Sequence, residues 1–260
     1  MLADITRLEL TLRRRSAIGY AAGMALYTLA VVALYPSFKN STSLDSLSGS
    51  TAAALFGVTG PLTSPGGWLN GNIYGNFFPL IMLLLTIGYG AACLAGQDED
   101  GTLALVTALP VSRRAILYQK AAAMALQALL LAAAVTVCVI AGRGFQLTIT
   151  PADTIAISAA VVLMGVDFGL ITMAVGAATG RRGTALGLGA GLAAASYLLS
   201  SLAPTISAIR PGRYLSLFYW SVGNNQISQG PSAADYAILI TVGLLALSAA
   251  VAAFGRADLN

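Results

Sequence analysis

Any chemistry in this chain would have to be done without histidine. None occurs among its 260 residues, which removes the commonest general base, the commonest metal ligand and any histidine-paired nucleophile. Two lysines are present, Lys39 and Lys120. Neither stands in a GxxxxGK(S/T) loop, so there is no phosphate-cradling Walker A site. Cys93 and Cys138 fall near opposite ends of successive apolar runs, a separation on the order of 20 Å at 1.5 Å per residue. They read as two reduced, small apolar residues. Asp167 is the one acid in the middle of an apolar run, between Val166 and Phe168. A carboxylate there is costly in hydrocarbon, so it must face other helices or water. Contact with a passing substrate or ion and a hydrogen-bonded packing role both remain open.

The densest polar stretch is residues 97–120, QDEDGTLALVTALPVSRRAILYQK. Asp98, Glu99 and Asp100 lead into a tight turn at Gly101. Thr102 can cap a short helix from Leu103 to Ala108, and Pro110 ends it. Ser112 can cap the next helix, with Arg113 and Arg114 in its first turn. Leu103, Val106 and Leu109 are spaced to share one apolar edge. Such an edge suits either a docking element or an inert helix at the membrane surface.

The elements around this stretch follow from composition. The chain is 57% hydrophobic and 9% charged, with mean hydropathy +0.79. Soluble domains carry about 25% charged residues, and a membrane span needs roughly 20 apolar ones. Six runs fit: 17–35, 73–95, 121–141, 154–179, 184–209 and 236–254. The expected fold is therefore an all-α membrane protein in a single transmembrane domain covering 1–260. Residues 1–15 form an amphipathic, interfacial helix with Leu2, Ile5, Leu8 and Leu12 on one face and Arg7, Thr11 and Arg14 opposite. Pro65-Gly66-Gly67 reads as a turn in the first long loop, with Trp68 at the interface. Pro204 is expected to kink or break the fifth span. Gly183, Gly187 and Gly191 recur every fourth residue, a spacing that lets helices approach closely, within the chain or between subunits. Tyr214–Trp220 suits an aromatic belt.

The basic residues set an orientation. With the N-terminus inside, Arg7, Arg13, Arg14, Arg15, Arg113, Arg114, Lys120, Arg181, Arg182 and Arg256 are inner, while Lys39, Arg143, Arg210 and Arg213 are outer. The excess favours cytoplasmic N- and C-termini. It also accounts for the net charge of +4 without nucleic acid.

Residues 97–120 resemble the acidic-Gly-Thr-Leu…Leu-Pro-x-Ser-Arg…Lys signature of ABC-2 type permeases, the membrane subunits of a class of ABC exporters. Asp98, Glu99, Gly101, Thr102, Leu103, Pro110, Ser112, Arg113 and Lys120 fall on that pattern. LSLFYWSVGNNQISQG, residues 215–230, is similar to the family's loop before the last span, with Leu217 where proline is common. The resemblance implies a permease half in the plasma membrane. It would pair with a second half, as homodimer or heterodimer, and line the substrate path between them. An ATP-binding subunit would bind ATP and Mg, leaving no cofactor in this chain. The Gly101–Leu109 segment would be the coupling helix within a cytoplasmic coupling loop, residues 97–120, with Asp98, Glu99, Gly101, Thr102, Leu103, Leu105, Val106, Leu109, Pro110 and Arg113 as its coupling residues. A drug, antibiotic or other amphiphile would be the cargo. A secondary carrier or an intramembrane enzyme is the competing class. The first needs more intramembrane polar groups than one aspartate, and the second needs a better-placed dyad.

Overall fold

In a bilayer the backbone must satisfy its own hydrogen bonds, which leaves helices as the natural form for long apolar runs. Helices are the only regular elements among the described residues. The computed structural model describes residues 4–41, 61–107, 111–203, 206–223 and 226–256. Helix α1 spans Asp4–Leu12, α2 Arg14–Phe38 and α3 Pro65–Glu99. A short α4, Leu103–Thr107, precedes α5, Arg113–Phe145. Then come α6, Pro151–Thr179, α7, Arg182–Leu202, and α8, Ala233–Arg256. The six helices α2, α3 and α5–α8 are long and apolar enough to cross a membrane. The expected all-α membrane fold is the observed one.

Several boundaries differ from the sequence reading. Pro65-Gly66-Gly67 is no turn but the first turn of α3, with Pro65 at its start and the Gly67 N–H donating to the Ser64 hydroxyl at 3.1 Å. A proline just inside a helix start costs no hydrogen bond, because that N–H would be unsatisfied anyway. Trp68 is buried against α2. It stacks on Phe38 with ring centroids 5.6 Å apart and donates to the Val31 carbonyl at 3.0 Å. Helix α7 stops at Leu202 rather than continuing to 209. Pro204 lies two residues on and has no N–H to extend the ladder; it lies outside the described residues. The chain resumes as a 3₁₀ helix at Ser207–Leu215 and a π-helical turn at Tyr219–Gly223. There Arg213 donates to the Tyr214 hydroxyl at 2.8 Å, and that bond holds the phenol below its ordinary pKa.

Helix α6 is the hub, touching α3, α5, α7 and α8. Lipid tails are as apolar as leucine, so helices in a bilayer associate by close packing, and small residues permit it. A Cβ on Gly90 of α3 would lie 2.3 Å from the Gly169 carbonyl oxygen of α6. That seam closes only with glycine. The perimeter carries exposed leucines such as Leu26, Leu84, Leu188 and Leu244, as a lipid-facing surface requires.

One end of the bundle gathers α1, the end of α3, α4, the start of α5, the α6–α7 turn and the end of α8. Three cross-links establish this: Lys120 to Glu9, the Arg182 N–H to Glu99 at 2.9 Å, and Arg113 to the Phe254 carbonyl at 3.4 Å. This basic end holds most of the arginines. At the opposite end Lys39 of the α2 C-cap meets Gln146, next to the end of α5, and Tyr236 of α8 donates to the Ala156 carbonyl of α6 at 2.7 Å.

Candidate functional site

The site builds from the last turn of α3. Three backbone bonds fold the chain back at once: Asp100 N–H to the Gly96 carbonyl at 3.0 Å, Gly101 N–H to Asp98 at 3.0 Å, and Thr102 N–H to Gln97 at 2.8 Å. Gly101 sits at φ +68, a conformation that costs a residue with a Cβ about 1–2 kcal/mol. The Thr102 hydroxyl also donates to the Gln97 carbonyl, at 3.2 Å. The turn thus presents α4 at the basic end.

The apolar edge that the spacing of α4 suggested turns inward where it is described. Leu103 is 3% exposed and packs with Ile116, Leu117 and Phe254; Val106 packs against the same cluster. Leu105 points away, 74% exposed. The Leu103–Val106 edge holds α4 to its own bundle, and the outward apolar residue is Leu105. Leu109 and Pro110 lie outside the described residues. Ser112 does cap α5, accepting from the Ala115 N–H at 3.3 Å.

Three charged members of the motif reach neighbouring helices from the surface, where Glu99 and Arg113 stay exposed. Glu99 accepts the Arg182 N–H at the start of α7, where a carboxylate meets the positive end of the helix dipole. The Asp98 carboxylate lies beside Gly180 in the α6–α7 turn. Arg113 donates to the Phe254 carbonyl and lies 6.0 Å over the Phe254 ring. These three side chains link the segments on either side of α4 to α7, the α6–α7 turn and α8.

A second group at this end escaped the sequence reading. Lys120 is fully buried and donates to Glu9 of α1 and, at 2.7 Å, to the Gln97 side chain. Glu9 is 2% exposed. The expected apolar face of α1 is split accordingly. Ile5 and Glu9 turn to the bundle, while Leu8 and Leu12 stay exposed; Leu2 lies outside the described residues. A glutamate four residues after a buried isoleucine was the available signal, since the two share a helix face.

Asp167 is 1% exposed, between α6 and α8. A Cβ on Gly243 of α8 would lie 2.6 Å from Asp167 Oδ1, and Oδ2 has no hydrogen-bond partner. It takes no part in lining the apolar groove of about 500 Å³ that runs between α3 and α7, whose walls include Phe77, Leu80, Leu84, Leu186, Ala190 and Tyr197. Gly183, Gly187 and Gly191 do not pack inside the chain: a Cβ on any of them meets nothing within 4 Å. The tight contact on α7 belongs to Gly189, whose added Cβ would lie 2.1 Å from Thr172 Oγ1 of α6. Among the described residues no cluster of histidine, cysteine or acids could hold a metal ion.

The family model described as "ABC-2 family transporter protein" matches residues 3–259. No curated protein matches the chain.

Proposed function

Since the chain belongs to the ABC-2 family of transporter proteins, the membrane permeases of ABC transporters, we propose that it is one permease half of an ATP-driven exporter. The basic end faces the cytoplasm, in keeping with the positive-inside rule. Both termini then lie inside and the membrane is the plasma membrane. An ATP-binding subunit, in a separate chain that holds ATP and Mg, docks there. The observation that carries this reading is α4: a short helix held to the bundle through Leu103 and Val106, with the large apolar side chain of Leu105 left in the open. A bare leucine on a helix anchored by its opposite edge suits insertion into a cleft of a partner. Closure of the ATP-binding subunits would then push on the loop and shift the permease half.

The substrate path lies between this half and a second one, homodimeric or paralogous. The groove between α3 and α7 supports this, because it is apolar and lined by side chains exposed on the bundle surface, such as Leu80 and Leu84. Its character suits an amphiphilic drug or antibiotic. The burial of Asp167 against Gly243 favours a packing role over a place on the path.

Purification in mild detergent with identification of the co-purifying chains tests the assignment. An ATP-binding subunit should accompany the wild-type chain, and Leu105→Asp should lose it while still inserting at normal levels, because an acid would be desolvated in the cleft. Undiminished ATPase association and transport in Leu105→Asp would reduce α4 to an ordinary loop element.

A further inference from the structure

Three polar side chains from three elements meet at the basic end, Glu9 and Lys120 buried and Gln97 half-buried, and the transport scheme above uses none of them. Glu9 comes from α1, Gln97 from the final turn of α3, and Lys120 from the second turn of α5. The Lys120 ammonium donates to Glu9 Oε1 and to Gln97 Oε1, and Gln97 Nε2 donates to the same Glu9 oxygen at 3.2 Å. Arg13 closes the other side, 3.5 Å from Glu9 Oε2 and 4.5 Å over the Tyr89 ring. Beside them the Ile5 N–H donates to Gln119 Oε1 at 3.1 Å, and the Thr6 hydroxyl to the Gln119 carbonyl at 3.1 Å. Helix α1 is therefore bonded to the start of α5, not merely laid against it.

A buried ion pair adds little net stability over an apolar replacement, because desolvation offsets the attraction. A hydrogen-bonded network instead restricts geometry; Glu9 Oε1 takes the bonds, while Glu9 Oε2 has only the Arg13 charge, at 3.5 Å, and no hydrogen bond. Gln97 is where that geometry reaches the loop. Its side chain belongs to the network, while its carbonyl accepts both the N–H and the hydroxyl of Thr102. A displacement of α4 must move Gln97, and Gln97 cannot move without disturbing Glu9 and Lys120.

We propose that Glu9, Gln97 and Lys120 are positioning residues that tie the α3–α5 loop to α1, so that a push on the loop is delivered to α1 and α5 together. The source of the push rests on the function proposed above; the tie itself does not. The test therefore starts with the isolated chain. Spin labels at Thr11→Cys and Ala104→Cys, both exposed sites, in a background lacking Cys93 and Cys138, report the α1–α4 distance. Wild type should give one narrow distribution. Gln97→Leu, which leaves the Glu9–Lys120 pair in place, should broaden it, and Lys120→Met should broaden it further. The charge swap Glu9→Lys with Lys120→Glu should narrow it again, because the Gln97 amide can turn to face a reversed pair. An unchanged distribution in Gln97→Leu overturns the tie, even if Lys120→Met fails to fold. In the assembled transporter, substrate moved per ATP hydrolysed should fall at least about fivefold in Gln97→Leu, within the range of ordinary coupling energies. Normal coupling in that variant also overturns the proposal. If no ATP-binding subunit associates with the wild type, the proposed function fails, while the label distances still decide the tie.

Discussion

A carboxyl group with an unpartnered oxygen in the middle of a bundle constrains whatever lies against it. Asp167 has such an oxygen, and its other one sits where a side chain on Gly243 would go. Charged at the bilayer centre it would cost at least ~2.5–3.5 kcal/mol, so a neutral or locally hydrogen-bonded form suits the site. Gly243→Ala should then destabilise the chain by about 1–3 kcal/mol through overpacking. Combining it with Asp167→Ala should recover most of that loss, because the colliding oxygen is gone. Thermal unfolding of the detergent-purified variants measures both steps. Asp167→Asn, the same size, should leave transport of cationic and neutral compounds equally intact; a selective loss for cations would place Asp167 on the path. The isolation of this acid was legible in the sequence, because nothing polar adjoins it along the chain. Its neighbour was not, since Gly243 is 76 residues away and nothing in the local pattern points to it. The Glu9–Lys120 pair escaped for the same reason. Both residues were visible, but their pairing is a tertiary contact.

At the scale of elements, periodicity identifies an apolar edge and stays silent about what it faces. Leu103, Val106 and Leu109 share an edge of α4 by spacing, and where that edge is described it turns to the chain's own core. Leu103 and Leu105 should therefore separate cleanly. Leu103→Asp buries an acid among Ile116, Leu117 and Phe254 and should cost several kcal/mol, on the order of 3 or more, seen as loss of folded protein on detergent size exclusion. Leu105→Asp should leave that profile unchanged and act only on association with the ATP-binding subunit. Equal loss of folded protein in both would mean that Leu105 packs within the membrane subunit. The same limit explains the helix boundaries. Ser64-Pro65-Gly66-Gly67 carries both a turn signal and a helix-start signal, and only the packing of Trp68 on α2 decides between them. Gly101 was legible because its demand is local: a left-handed turn asks for glycine wherever it stands.

For the whole molecule, the proposed pairing with a second half needs a face of the bundle to meet it. Helices α7 and α8 are equally exposed in their apolar windows, each 28% buried. Their surfaces differ in kind. The exposed side of α8 carries Ile240, Leu244 and Leu245, bulky residues that mix well with lipid tails. That of α7 also carries leucines, Leu186, Leu188, Leu192 and Leu198, but adds the open glycines Gly183, Gly187 and Gly191 beside the groove. A glycine strip offers lipid little to pack on but lets another helix come close, and a helix seated there would roof the groove. The four-residue spacing was legible in the sequence. The division of labour on α7 was not, since Gly189 is the residue packed on Thr172 while the other three stay open. Substitutions on the two sets should have opposite effects. Gly189→Leu should prevent the chain from folding, because its side chain would collide with α6. Gly187→Leu meets only open space, so the single chain should fold with an unfolding midpoint within a few degrees of wild type. It should nevertheless weaken pairing of the halves and, with it, transport. Crosslinking through a cysteine at Gly191, read beside the yield of folded chain, distinguishes the cases. Full crosslinking and full transport in Gly187→Leu would move the pairing face away from α7 and leave the groove open to lipid.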